Sequence, residues 1–293
     1  MLTLQIILSG ILLGGLYGCM AVGFSIIWGV TNLINLAHGS MAIMGAYIAW
    51  LLWSHTGLDP FLSFPVAAAA LFAFGYALQR AVLNRITRTS LFMTLIFTFG
   101  LDMVLVNVMF ALFSADVRGI PLSYSSAVLT LAEIRLPYTR IAVFVVALLL
   151  TLALHLFMDH TRSGQAVRAT AQNPRAAAML GIDSNHTNAL AFAIGAALAG
   201  AAGTLLAVVY SFSPITGTPL TMKAFVIVAL GGLGSMRGAI VAGIALGVAE
   251  NIVSGLLVPG YRDAVSFVLL ILILLFRPRG LFGNRYLFDA QMR

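Results

Sequence analysis

The sequence predicts an all-α polytopic membrane protein of about eight transmembrane helices, organised as a single transmembrane domain over residues 1–293. Three observations carry this reading. First, 61% of the residues are hydrophobic and 9% are charged, against roughly 25% charged in a soluble domain. Mean hydropathy is +1.02. Second, the charges are bunched. No Asp, Glu, Lys or Arg precedes Asp59, and charge-free stretches cover 60–79, 89–101, 103–115, 141–158, 184–222, 224–236, 238–249 and 264–276. Third, apolar runs recur at the bilayer-crossing length of about 20 residues. A chain this apolar takes lipid as its solvent. That excludes a cytosolic enzyme, a nucleic-acid binder and a secreted disulfide scaffold.

Taken in order, the spans are 4–28, 33–53, 61–79, 91–113, 139–158 and 189–212, then a glycine-interrupted region at 223–256 and a last helix at 264–276. The first run has no basic segment before it and no A-x-A-like cleavage site, so it is a retained helix, not a signal peptide. The formal charge of +7 is an orientation signal. Arg80, Arg85 and Arg88 in loop 80–90, Arg162, Arg168 and Arg175 in loop 159–188, and Arg277, Arg279, Arg285 and Arg293 in the tail point to the cytoplasm. Segment 114–138 mixes Asp116, Arg118, Glu133 and Arg135 with Pro121 and Pro137, and is the main external loop. Trp50 and Trp53 then fall at the outer end of the second span, where interfacial indoles are favoured.

Region 223–256 is too long for one plain crossing and is broken by Gly231-Gly232-Leu233-Gly234-Ser235-Met236-Arg237-Gly238. One crossing would put the basic tail outside. A broken or re-entrant pair near 231–238, entering and leaving on one side, keeps it inside. Broken helices beside a substrate path are a transporter device; the plain alternative is a flexible glycine loop. Gly39-Ser40-Met41 and Gly234-Ser235-Met236 form a weak internal echo.

Small residues at spacing four (Gly10, Gly14, Gly18; Gly195, Ala199, Gly203; Ala239, Gly243, Gly247) let helix backbones approach closely in lipid. The stretch Thr31-Asn32-Leu33-Ile34-Asn35-Leu36-Ala37-His38-Gly39-Ser40 sets amides, an imidazole and hydroxyls within a charge-free region. On a helix Asn32, Asn35 and His38 share a face and line the translocation path or its gate. In a turn the same groups cap backbone ends. His38 has no neighbouring ligand set, so no metal site is expected. Loop 159–188 is alanine-rich, bracketed by Gly164 and Gly181, with Pro174 suited to a first helical turn. It predicts one or two short cytoplasmic helices that dock on another protein or lie at the interface.

Asp102 and Glu250 are acids in or at the ends of apolar spans. Neither has a basic partner nearby in sequence, so a proton relay is poorly supported and snorkelling competes with it. Enzyme signatures are missing. Gly23-Phe24-Ser25-Ile26 lacks the second glycine of a serine-protease elbow. The single cysteine, Cys19, builds no disulfide or metal framework. The single lysine, Lys223, lies in Thr221-Met222-Lys223-Ala224, not in a phosphate-binding loop. ATP chemistry must come from another chain.

The glycine-rich first helix, Thr31-Asn32-Leu33-Ile34-Asn35-Leu36-Ala37-His38-Gly39, Gly164-Gln165-Ala166-Val167-Arg168-Ala169, Leu180-Gly181-Ile182 and Gly231-Gly232-Leu233-Gly234-Ser235 together resemble the branched-chain amino acid ABC transporter permeases, most closely the LivH-type subunit, from about residue 5 to 280. Met236-Arg237 departs from the family's small or proline-bearing pair. The resemblance implies a bacterial inner-membrane subunit importing leucine, isoleucine and valine, or related amino acids. It implies a second permease chain (LivM-type), two cytoplasmic ATPase subunits (LivG/LivF-type) that bind ATP and Mg, and a periplasmic binding protein; this chain holds no cofactor. The path or gate residues would be Asn32, Asn35, His38, Gly39, Ser40, Gly231, Gly232, Gly234 and Ser235. The ATPase-coupling residues would be Gly164, Arg168, Ala171, Asn173, Ala177 and Gly181. The alternatives are an ABC permease for urea, a short amide or a sugar, and an ATP-independent secondary transporter or channel.

Overall fold

Lipid offers the backbone no hydrogen-bond partner, so an apolar chain satisfies its N–H and C=O groups within helices. The computed structural model describes residues 2–86, 91–131, 134–256, 259–277 and 280–283. Arg88, Glu133, Arg279, Arg285 and Arg293, which carry part of the orientation pattern, lie outside the described residues. The helices are α1 (Leu2–Thr31), α2 (His38–Thr56), α3 (Pro60–Leu78), α4 (Asn84–Ile86), α5 (Leu91–Phe113), α6 (Tyr138–His160), α7 (Arg162–Gln172), α8 (Pro174–Met179), α9 (Ser184–Val209), α10 (Gly217–Gly231), α11 (Met236–Leu256) and α12 (Arg262–Phe276). Seven runs, Thr3–Thr31, Pro60–Ile86, Phe92–Phe113, Tyr138–His160, Ser184–Val209, Pro214–Gly231 and Met236–Leu256, are long and apolar enough to cross a membrane. That is close to the expected eight.

Three expected spans are revised. The second starts at His38, because 33–37 are a non-helical turn. The third runs on through a π-turn at Gln79–Leu83 into α4. Region 223–256 resolves into α10 and α11, joined at a turn where Gly232 (φ 102) and Gly234 (φ 78) adopt backbone conformations that disfavour other residues. Segment 114–138 is not featureless. It holds a two-stranded antiparallel hairpin, β1 (Val128–Leu131) with β2 (Ile134–Pro137), in register Val128↔Pro137. The hairpin segment is tied down at Asp59. One Asp59 oxygen caps α3 through the Phe61 N–H (2.8 Å) and the other accepts from the Tyr124 hydroxyl (2.5 Å). Burial and that hydrogen bond raise the Tyr124 pKa above the ordinary phenol value.

The small-residue stripes are packing seams. A Cβ on Gly14 would lie 2.5 Å from the Ile244 Cα, and one on Gly243 would lie 2.6 Å from the Gly18 Cα, so α1 and α11 touch backbone to backbone. On the other side α9 meets α3 at Gly75–Ala196 and crosses α2 where a Cβ on Gly203 would lie 1.7 Å from the Ala42 oxygen. The pattern repeats: α1 packs on α11 as α3 packs on α9, and α2 packs on α9 as α10 packs on α1. Each set is a long helix, a short return (irregular at 32–37, a 3-10 turn at Pro214–Thr216 before α10) and a helix starting at depth. The Gly-Ser-Met tripeptides do not mark this repeat. Gly39 and Ser40 lie in the first turn of α2, whereas Gly234 and Ser235 lie in the α10–α11 turn.

Candidate functional site

Three polar places interrupt the apolar bundle, and each is built by elements distant in sequence. The first lies between α1, α2, α5 and α10. After α1 ends at Thr31 the chain turns back. Asn32 takes φ 51, and Asn35 Oδ1 accepts from the Ala37 N–H at 3.1 Å. The helical arrangement that would put Asn32, Asn35 and His38 on one face is therefore not formed, and Asn35 does the backbone capping expected of a turn. His38 is fully buried, with Nε2 3.0 Å from the Met20 carbonyl oxygen. Met20 is eleven residues before the end of α1 (31 − 20), or about 16 Å along its axis. Helix α2 thus starts at depth. Helix α10 starts beside it. The Gly39 N–H donates to Thr221 Oγ1 at 2.8 Å, and Thr221 Oγ1 donates to the Leu36 carbonyl at 3.0 Å. A Cβ on Gly217 would lie 2.7 Å from Ser40 Oγ. Ser40 Oγ in turn donates to Asp102 Oδ1 on α5. Asp102 does not snorkel; it is buried at mid-helix.

The second place was hidden from the sequence. Glu250 on α11 is fully buried. Lys223 Nζ of α10 lies 2.9 Å from its Oε1, and Arg262 Nε of α12 lies 2.9 Å from its Oε2. The Tyr17 hydroxyl of α1 and the Ser266 hydroxyl of α12 also donate to it, each at 3.0 Å. Lys223 reaches on to the exposed Asp263 at 3.0 Å. So the acid that had no basic neighbour in sequence has two in space, and one is the only lysine. The available signal was a lone lysine in one apolar helix and a lone acid in the next; such charges persist in lipid when they pair.

The third place joins two predicted groups. A cavity of about 680 Å³ is lined by Ser25, Gly234, Ser235, Arg168, Ala171 and Asp159 among others. The glycine turn and the 159–188 segment therefore share one space. Ser235 Oγ caps α11 by accepting from the Gly238 N–H at 3.1 Å. Gly231 packs on Gly238, and the Gly232 region is strapped by the tail: Leu281 N–H to the Leu230 oxygen at 2.8 Å and Phe282 N–H to the Gly231 oxygen at 2.9 Å.

The 159–188 segment folds as α7 and α8. Thr161 caps α7 through the Gly164 N–H, and Gly164 lets α7 close on α6, where a Cβ would meet the Phe157 oxygen at 2.3 Å. Arg168 and His155 both pair with Asp159. Asn173 Oδ1 caps α8 by accepting from the Arg175 and Ala176 N–H groups, each at 3.1 Å. Gly181 ends the turn at φ 82. Ala177 faces inward and is buried, and Ala171 is partly buried, so neither presents an open docking face. The exposed apolar side chains are Met179 and Leu180, 87% and 81% exposed. Among the described residues no cluster of metal-ligating side chains occurs.

Glycine-seamed helices of crossing length, helices that begin at depth and polar groups confined to their junctions define a multi-pass membrane protein of the permease class. Residues 6–274 match the family model for the branched-chain amino acid transport system / permease component, and the chain belongs to that family. It is 35% identical, over 96% of both chains, to the high-affinity branched-chain amino acid transport system permease protein BraD of Pseudomonas aeruginosa. It is 32% identical to LivH of Escherichia coli K12, again over 96% of both chains. LivM of the same organism is a more distant relative, 27% identical over 91% of this chain and 67% of its own. No solved structure matches.

Proposed function

We propose that the chain is the LivH-type membrane subunit of an ABC importer for branched-chain amino acids, or closely related amino acids, in the bacterial inner membrane. The observation that carries this is similarity at 35% identity along 96% of the chain to a permease of that transport system. Energy comes from outside the chain: its one lysine is held in the Glu250 ion cluster rather than in a phosphate loop. Two LivG/LivF-type ATPase subunits with ATP and Mg, a LivM-type second permease and a periplasmic binding protein complete the transporter.

In this reading the α7–α8 side faces the cytoplasm and the β1–β2 side faces outward, as the arginines of loops 80–90 and 159–188 require. Residues 1–293 are one transmembrane domain. Gly164, Arg168, Ala171, Asn173, Ala177 and Gly181 shape the coupling segment, and Met179 and Leu180 are its contact to an ATPase. Asn32, Asn35, His38, Gly39 and Ser40 form a fixed central turn. Gly231, Gly232, Gly234 and Ser235 form the inner gate above the cavity. Movement of docked α7–α8 reaches that gate through the shared cavity wall.

The test is reconstitution of the chain with its partners in proteoliposomes. ATP-dependent uptake of labelled leucine, requiring binding protein, is expected. Uptake by this chain alone without ATP overturns the reading.

A further inference from the structure

We propose that Asp102, with Ser40, forms a mid-membrane subsite for the α-ammonium group of the transported amino acid. This inference rests on the permease reading above. Asp102 is eleven residues from each end of α5 (102 − 91 and 113 − 102), so it lies about 16 Å from either end. An aspartate side chain is too short to reach water from there. It sits on the inward stripe of α5 with Thr98, Leu105 and Met109, while Phe99, Met103 and Val104 point outward.

The charge balance at Asp102 differs from that at Glu250. Glu250 has a lysine and an arginine. Asp102 Oδ1 has the Ser40 hydroxyl. Among the described residues, the ion pairs are made by Asp116, Asp159, Glu250 and Asp263, so no basic side chain reaches Asp102. Its Oδ2 accepts no hydrogen bond from any described residue. Acids inside a membrane are costly and are retained beside substrate and ion pathways.

Part of the charge is met by the backbone. Ser40 is in the first turn of α2, and Gly217, the first residue of α10, abuts it. Helix N-termini carry partial positive charge, and two of them lie beside Ser40. They supply no mobile counter-charge. A primary ammonium supplies one full positive charge and three N–H donors, matching an acceptor-only carboxylate with a free oxygen. Asp102 is 93% buried (100 − 7). It also lies where the two inwardly starting helices meet, so a ligand there touches both halves of the fold.

The experiment uses the full reconstituted complex. Wild-type complex lacking ATP-dependent leucine uptake overturns the permease reading and this inference with it. Given wild-type uptake, Asp102→Asn keeps the size and the Ser40 contact but removes the charge. Leucine uptake should fall at least about tenfold, as for loss of one partner of a buried charge pair. Binding-protein-stimulated ATPase should persist, and Asp102→Glu should restore part of the uptake. Wild-type uptake by Asp102→Asn overturns the proposal. A second measurement covers a folding defect. In a Cys19→Ala background that keeps Asp102, Leu105→Cys, one turn along the same inward stripe, should react with a cationic methanethiosulfonate reagent during ATP turnover, and excess leucine should slow the reaction. No labelling in any state of the assembled complex, or labelling indifferent to leucine, overturns it.

Discussion

Glu250→Gln should be among the most damaging single substitutions in the bundle, and the reason lies in its cations. The carboxylate is fully buried and holds Lys223 and Arg262, whose side chains are 10% and 28% exposed. The amide keeps the shape but leaves two sequestered cations without their shared anion and turns an N–H group toward donors from Tyr17 or Ser266. Breaking a buried pair in this way costs about 3–5 kcal/mol, which at 1.4 kcal/mol per decade is over a hundredfold in the unfolding equilibrium. Lys223→Met costs less, about 1.5–3 kcal/mol for a lost charged hydrogen bond, because Arg262, Tyr17 and Ser266 still serve Glu250. Asp263→Asn is nearly silent. Its side chain is 68% exposed, so water screens its contact with Lys223 to about 0–1 kcal/mol. The double variant Lys223→Met/Glu250→Gln should cost less than the sum of the singles by about 0.5–3 kcal/mol, since it removes one stranded cation. Unfolding in mixed micelles by SDS titration, followed by fluorescence of Trp28, Trp50 and Trp53, measures all four. Additive costs, or an Asp263→Asn effect as large as that of Glu250→Gln, would refute the argument.

Two further outcomes follow from packing and exposure. Gly14→Val should lower the unfolding free energy read from the same titration by about 1–3 kcal/mol, because its Cβ would fall on the Ile244 backbone at 2.5 Å, whereas Gly100→Ala, with nothing within 4 Å, should be neutral or stabilising by up to about 1 kcal/mol. Met179→Asp with Leu180→Asp should abolish leucine uptake in the assembled transporter while leaving the unfolding midpoint of the isolated chain unchanged, since both side chains are over four-fifths exposed; normal uptake would remove α8 from the ATPase contact.

The path from sequence to structure divides along a physical line. Charge-free runs and arginine-bearing loops marked the crossings because lipid penalises charge by depth, a property each residue carries alone. Small residues at spacing four marked α1 and α11 as seam helices because close approach needs small side chains wherever the partner comes from. The return at 33–37 was only half visible: the amides of Asn32 and Asn35 suit both a polar helix face and a turn, and sequence spacing does not separate them. The inward stripe of α5 was only faintly marked: Thr94, Thr98 and Asp102 recur at spacing four, but Asn107 puts a polar group on another face, and spacing alone does not say which face turns inward.

By itself, then, the sequence determined that this is a membrane protein, most of its crossing segments, which loops are basic, and that no phosphate-binding loop lies within it. Only the tertiary structure decided which polar groups meet. Helix α10 brings Lys223 to Glu250, and helix α2 brings Ser40 to Asp102. The 159–188 segment and the Gly234 turn close on one cavity. The reason is that hydropathy selects the solvent of each segment but is indifferent to its neighbour. In lipid, where one apolar face is as good as another, the neighbour is fixed by backbone approach at glycines and by the few polar groups that need a partner.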